Sequence, residues 1–300
     1  MQRLSKGFSF EEKYVLSGND TKRYLLRITL PADPWLIRYK QTEFEIIRRL
    51  RKDSPLIPDA HIFGTSGDES QCFMVLDFIE GTDGEVALSG LCETDQYRIG
   101  VQAGKEQKKM HALPAPQGLP DWYESFSAKF ARKVAAFDKR GIDLPGIDRE
   151  HLSGYIHENI SCIRNSPRVF LHRDYHPANM VIDKGQLSGI IDFDRYEWGD
   201  PVFDFMALAY FSRAVSIPFS VGHIDGYTGG LPSCEFWKRY ALYCAMSIIP
   251  GHLWACDYAE KTGSPDEIGR SEKSIQMVCA DLEGFTTDIP CWYRDYRRTL

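Results

Sequence analysis

The stretch that most constrains this chain is Val169-Phe170-Leu171-His172-Arg173-Asp174-Tyr175-His176-Pro177-Ala178-Asn179-Met180-Val181-Ile182, followed shortly by Ile190-Ile191-Asp192-Phe193-Asp194. Short β-branched and aromatic runs on either side of a polar segment read as strand, loop, strand. Asp183-Lys184-Gly185 reads as a tight turn, and Leu187 to Ile191 as the strand that returns from it. Such a hairpin carries Asn179 and Asp192 to the same end, near enough to share one cation. Asp, Asn and His are common in loops, so no one of these residues means much alone. The joint pattern H-x-D-x-x-x-x-N, with His172, Asp174 and Asn179, ahead of an acidic strand end at Asp192 is far more specific.

That pattern holds the parts phosphoryl transfer needs. One carboxylate accepts or orients the proton of an attacking hydroxyl; an amide oxygen and a second carboxylate hold Mg²⁺ on the phosphates. Mg²⁺ takes oxygen ligands and keeps several waters, so two protein ligands plus phosphate oxygens suffice.

Together with Gly199-Asp200-Pro201-Val202-Phe203-Asp204, these segments resemble the aminoglycoside phosphotransferase family and its relatives that phosphorylate small metabolites. The His176-Pro177 pair inside the loop is similar to these small-molecule kinases more than to protein kinases. After Asp192 there is no long activation segment and no Ala-Pro-Glu. Arg173 departs from the family, which often has glycine there.

The resemblance implies an α+β, bilobal protein-kinase-like fold. A small antiparallel-sheet lobe over residues 1–81 would bind the nucleotide, and a large, mostly helical lobe over 82–300 would carry catalysis and substrate. It implies Mg²⁺, with ATP or GTP as donor. Asp174 would act as base or orienter, His172 would orient the loop, and Asn179 and Asp192 would hold the metal. Asp200 and Asp204 would brace the loop. Ser5-Lys6-Gly7-Phe8-Ser9-Phe10 would cover the phosphates, with Lys6 and Ser9 in reach of them, although a single glycine makes this signal weak. Asp77 to Gly81, including Asp77 and Ile79, looks like the hinge whose backbone pairs with the purine.

Kinases place a lysine on the third strand, tied to a helix glutamate. Alternation puts Arg23, Leu25, Arg27 and Thr29 on one strand face. The position matching the lysine is Arg27, and Glu43 matches the glutamate, so the resemblance implies that Arg27 with Glu43 positions the nucleotide phosphates. Arginine is longer and not interchangeable with lysine, so the true phosphate partner could be another residue such as Lys6.

Lys13 to Leu16 and Arg23 to Ile28 read as a hairpin, and Cys72 to Leu76 as a buried strand. Lys40 to Arg51 has helical spacing, which puts Glu43 about one turn from that helix start. Further helices are expected over 94–112, 121–140, 148–164, 201–211, 233–258 and 265–284. Pro201 suits a first helical turn, with Asp200 as its cap. His111 reads as structural.

The net charge of −6 is unevenly placed: residues 1–191 balance at 26 acidic and 26 basic side chains, and residues 192–300 hold 16 and 10. An acidic C-terminal part argues against nucleic acid and suits a small cationic, hydroxyl-bearing ligand. Trp254, Asp257, Tyr258 and Glu260 are the substrate candidates, because aromatic faces and carboxylates together can hold a polyamine sugar. Other aromatics there, Trp237, Tyr240, Tyr243, Trp292 and Tyr293, are as readily core. An aminoglycoside is the expected acceptor. Choline, homoserine, a macrolide or a sugar amine are alternatives, and a nucleotide-binding pseudokinase is the rival from another class. No apolar run is long enough for a membrane span, no signal-peptide core is present, and none of the eight cysteines forms a C-x-x-C pair. A cytoplasmic protein with reduced thiols, no zinc site and no obligate protein partner is expected.

Overall fold

The structure is a computed structural model that describes residues 1–4, 11–17 and 22–299. Its chain divides into two compact units, residues 1–90 with 177–196, and residues 91–176 with 197–300.

The first unit is built on a five-stranded antiparallel sheet. Its strands are β1 (Gln2–Leu4), β2 (Glu12–Ser17), β3 (Arg23–Thr29), β4 (Ala60–Thr65) and β5 (Cys72–Asp77), in the order β1-β2-β3-β5-β4. One helix, α1 (Pro34–Leu50), packs on it through Phe44, Ile47 and Leu50, and the Phe44 and Phe63 rings lie 5.8 Å apart. This helix starts six residues before the expected Lys40. Asp33 accepts a hydrogen bond from the Leu36 N–H, and Pro34 fills the first turn, where no N–H is needed. Glu43 therefore sits in the middle of the helix rather than one turn from its start. Strand β6 (Thr82–Asp83) and the short α2 (Gly84–Leu88) complete the N-terminal part.

In the second unit, α3 (Glu93–Met110), α4 (Trp122–Arg140) and α5 (Arg149–Asn159) lead to strand β7 (Val169–Leu171). The chain then returns to the first unit for β8 (Met180–Asp183) and β9 (Gln186–Ile190). This is the hairpin expected from sequence. Lys184 and Gly185 both have positive φ, as a two-residue turn with the twist of the flanking strands requires.

The hairpin belongs with the N-terminal residues for a concrete reason. Its β8 pairs with β6 in the register Thr82↔Ile182 and Asp83↔Val181, and the Ile190 N–H donates to the Leu56 carbonyl at 2.9 Å. The division thus falls after Gly90 rather than at 81/82, and includes the hairpin.

Strand β10 (Glu197–Gly199) pairs with β7. Where one helix was expected over 201–211, a 3₁₀ turn (Pro201–Phe205) is followed by a π turn (Leu208–Ser212) and a short α6 (Arg213–Val215). The rest is α7 (Ile217–Thr228), α8 (Cys234–Thr262), α9 (Asp266–Asp281) and α10 (Cys291–Arg297). The long α8 is the axis of the core. Tyr240, Leu242, Tyr243 and Ile248 are buried along it.

The closest packing joins α3 to α7. Gly100 and Gly104 on one helix face backbone carbonyls of the other: an added Cβ would lie 2.1 Å from Phe219 O and 2.0 Å from His223 O. Gly222 and Gly226 return the arrangement, at 2.2 Å from Tyr97 O and 2.1 Å from Val101 O. Among the described residues no helix is long and apolar enough to cross a membrane.

Candidate active site

In the first unit, the Arg27 guanidinium and the Glu43 carboxylate meet at 2.6 Å, so the pair expected from sequence is formed. It is part of a larger network that sequence reasoning missed. Glu11, just before β2, reaches Arg27 at 2.6 Å and Lys40 at 2.7 Å, and Thr29 donates to it at 2.9 Å. Lys40 also reaches Glu43 at 3.2 Å and pairs with Asp194. Burial pushes the Glu11 carboxyl up, but Arg27 and Lys40 outweigh it and hold it down at about 2. Oxygens of Glu11, Glu43 and Asp194 lie within 4.8 Å of one another, and the side-chain cations Arg27 and Lys40 sit among them. The i, i+3 spacing of Lys40 and Glu43 was the available signal once the true helix start was known.

Asn179 and Asp192 lie at the same end of the hairpin, as expected. The Ile191 N–H donates to the Asn179 carbonyl at 3.0 Å, directly beside Asp192. Asp192 holds a left-handed backbone, φ 66 and ψ 68, which is uncommon for a residue with a side chain and marks a constrained position. The Lys13 ammonium on β2 stands 3.7 Å from the Asp192 carboxylate. An amide oxygen and a carboxylate, both partly exposed, form a hard-oxygen donor set that fits Mg²⁺.

Lys6 and Ser9 lie outside the described residues. At the expected hinge, the Asp77 N–H donates to Asp59 O and the Phe78 N–H to Arg23 O, so both are already used. The Asp77 carboxylate is 2.8 Å from His61 Nε2. Ile79 packs over Gly189, where a Cβ would come within 2.5 Å of it.

In the second unit, the loop after β7 is braced from beneath by Asp204, which accepts the His172 N–H at 2.9 Å and the Arg173 N–H at 2.7 Å. His111 is buried and holds Asp204 at 3.1 Å and the Tyr227 hydroxyl at 2.9 Å. Burial pushes the Asp204 carboxyl up, but the hydrogen bond and charge of His111 with these amides keep it below its ordinary value. His172 is fully buried, and its Nδ1 accepts the Asp174 N–H at 3.3 Å, so it shapes the loop. Tyr175 anchors the loop to α3 by donating to Ala103 O at 2.8 Å.

Asp200 has another task. It caps the turn at Val202 N, accepts from Ser166 at 2.6 Å, and accepts from Tyr243 at 3.0 Å. Arg173 has φ 70, a left-handed backbone that explains why glycine is at home there. Here the guanidinium pairs with Glu197 at 2.9 Å and lies 3.9 Å over the Phe203 ring.

His176 Nε2 lies 3.3 Å from the Asp174 carboxylate and packs on the exposed Phe211 ring, with centroids 4.8 Å apart. Phe211 belongs to the π turn, a local irregularity often found at functional sites. No periodic signal in the sequence pointed to it.

The four substrate candidates form a cluster near the end of α8. Trp254 stacks on Tyr258 at 5.3 Å, and Asp257 and Glu260 both pair with Arg140. Asp257 lies 14 residues beyond Tyr243, whose hydroxyl meets Asp200. At 1.5 Å per residue, that is about 21 Å along the helix. The cluster thus lies about four turns along α8 from the residue that meets Asp200. Trp237, Tyr240, Tyr243, Trp292 and Tyr293 are buried core.

A sheet-and-helix unit with a buried Arg–Glu pair, and a helical unit with a braced H-x-D loop, define a phosphotransferase of protein-kinase-like fold. The chain belongs to the phosphotransferase enzyme family, whose model matches residues 1–237. Among solved structures it is similar to aminoglycoside phosphotransferase APH(4)-Ia, at TM-score 0.64 and 16% identity, covering 92% of this chain and 93% of that one. A mutant of aminoglycoside 2'-phosphotransferase-IIIa in its GDP complex gives TM-score 0.64 and 15% identity, covering 95% and 92%. Macrolide 2'-phosphotransferase MphH from Brachybacterium faecium gives 0.59 and 17%, covering 91% and 90%. At these identities the likeness speaks for the fold. No curated protein matches the chain.

Proposed function

We propose that this protein transfers the γ-phosphoryl group of ATP or GTP to a hydroxyl of a small molecule, in the presence of Mg²⁺. The observation that carries the reading is the brace at Asp204: two consecutive amides donate to one carboxylate and so hold the loop that presents Asp174. Asp174 accepts or orients the proton of the acceptor hydroxyl, and His172 keeps the loop in shape from its buried position. Asn179 and Asp192 hold Mg²⁺, which when bound neutralises charge on the phosphates. Arg27 and Glu43, with Lys40 and Glu11, fix the sheet against α1 beside that pair. GDP, ADP with hygromycin B, and AMP-PNP with hygromycin B are present in complexes of structural neighbours, which supports a nucleotide donor.

An aminoglycoside is our first assignment for the acceptor, on the family resemblance and the acidic C-terminal part. One observation favours a second reading. Asp257 and Glu260 are already paired with Arg140, while an exposed aromatic ring, Phe211, packs on His176, which in turn meets Asp174. A less charged acceptor with an apolar or sugar face, such as a macrolide, suits that surface. The test is nucleoside diphosphate release from ATP and GTP with Mg²⁺, measured against aminoglycosides, macrolides, choline and homoserine. Turnover with any acceptor, abolished in Asp174→Asn, supports the reading. Tight nucleotide binding with no acceptor turned over would favour the pseudokinase instead.

A further inference from the structure

We propose that Lys13, on β2, is the side chain that binds the phosphates of the nucleotide. The proposal deepens the kinase reading and rests on it. It starts from what Arg27 can no longer do. The Arg27 side chain is 4% exposed and is engaged by two carboxylates, Glu11 at 2.6 Å and Glu43 at 2.6 Å. Lys40 is 3% exposed and is held by Glu11, Glu43 and Asp194. These two cations and three carboxylates form one network in which both cations are committed to carboxylates. Drawing Arg27 onto a phosphate would leave buried carboxylates without their partner, which is costly.

Lys13 is placed differently. It is the cross-strand partner of Arg27 in the β2–β3 pair, so the two side chains share one face of the sheet. Its side chain is 15% exposed, and that of Asp192 is 28% exposed, so both border open space. The Lys13 ammonium lies 3.7 Å from the Asp192 carboxylate, too long for a hydrogen bond but close enough for attraction. Its donors are therefore not committed to that carboxylate. A metal held by Asp192 would draw phosphate oxygens toward Lys13, and a lysine there offers three rotatable donors on a flexible stem. The charge that the third strand has turned inward is supplied by its neighbour strand.

The test is titration calorimetry of MgATP, MgGTP and the matching nucleosides against the full chain and its variants. Lys13→Met should weaken binding of the preferred triphosphate by about tenfold, the effect of one charge-assisted hydrogen bond, and leave the nucleoside unchanged. Lys13→Arg should restore most of the loss, and neither variant should lower Tm. Arg27→Met should instead lower Tm, because it opens the buried network. Triphosphate affinity unchanged in Lys13→Met overturns the proposal, and so does a phosphate-specific loss in Arg27→Met with Tm intact. Wild-type protein that binds neither triphosphate overturns the kinase reading itself, and this proposal with it. The two failures are thus told apart by the wild-type titration.

Discussion

At Asp174 the chemistry and the structure can be separated. The side chain is partly exposed, and the loop beneath it is held by backbone amides on Asp204. Asp174→Asn should therefore keep the fold and nucleotide affinity while losing kcat by roughly 10²–10⁴, the usual worth of a general base. Wild-type kcat in that variant would remove Asp174 from the role. The next residue back offers a test of strain. A side chain at a left-handed position costs about 1–2 kcal/mol, and Arg173 offsets this through Glu197 and the Phe203 ring. Arg173→Gly loses those contacts and the strain; Arg173→Ala loses the contacts and keeps the strain. The alanine variant should be the less stable by roughly 1 kcal/mol, or about 2–4 °C in Tm for a domain of this size. Equal Tm values would mean the strain is relaxed elsewhere.

At the scale of elements, the signals that were legible are those with a short-range cause. The hairpin Met180–Ile190 follows from two apolar runs around a Lys184-Gly185 turn. The turn after Asp200 follows from its cap and proline. Helix α8 has Ser233 as a cap that accepts the Phe236 N–H. Where the reading fell short, the cause was tertiary. Helix α7 is buried on nearly every side, from Pro218 to Gly226, so it has no polar face and no helical stripe to detect. Two facing Gly-x-x-x-Gly pairs make sense only once α3 and α7 are known to touch. They also make a sharp prediction. An alanine at Gly104 or Gly226 cannot be absorbed by a moving side chain, because its Cβ meets backbone at 2.0 or 2.1 Å. Each should cost about 1–3 kcal/mol or more as the helices are forced apart, and Tm should fall by several degrees. Gly154→Ala, with open space around the Cβ on α5, is the control and should leave Tm unchanged or raise it. The substrate candidates at the end of α8 make a related point. Spacing put Trp254, Asp257, Tyr258 and Glu260 in one cluster, but it says nothing of where on a long helix that cluster lies.

For the molecule as a whole, stability should depend on pH through groups buried in a fixed protonation state. His223 is the clearest. It sits inside the second unit between α3 and the catalytic loop, with its Nε2 2.8 Å from Gln107 Oε1 and the rings of Tyr175, Phe205 and Phe219 around it. Burial pushes its pKa down to about 3; Asp204 pulls it up and His111 pushes it further down. The folded state thus keeps His223 neutral, while the unfolded chain protonates it near its ordinary value. Its stabilisation is complete above about pH 6.5 and is lost as pH falls toward 3. Glu11 and Asp204, held below their ordinary values, act in the same direction, but only below about pH 4.5, where the unfolded carboxyls take up protons. Between these limits lies a window in which His223 acts before the carboxylates. From pH 7.5 to 5.0 it should withdraw about 2 kcal/mol, which lowers Tm by roughly 4–8 °C. His223→Gln keeps an amide opposite Gln107 and cannot titrate. Its Tm at neutral pH could differ from wild type, so the quantity compared is the change in Tm between the two pH values. That change should shrink by most of the expected amount in the variant. An equal fall in both proteins would show that His223 is not the neutral buried group whose protonation unfolds the second unit.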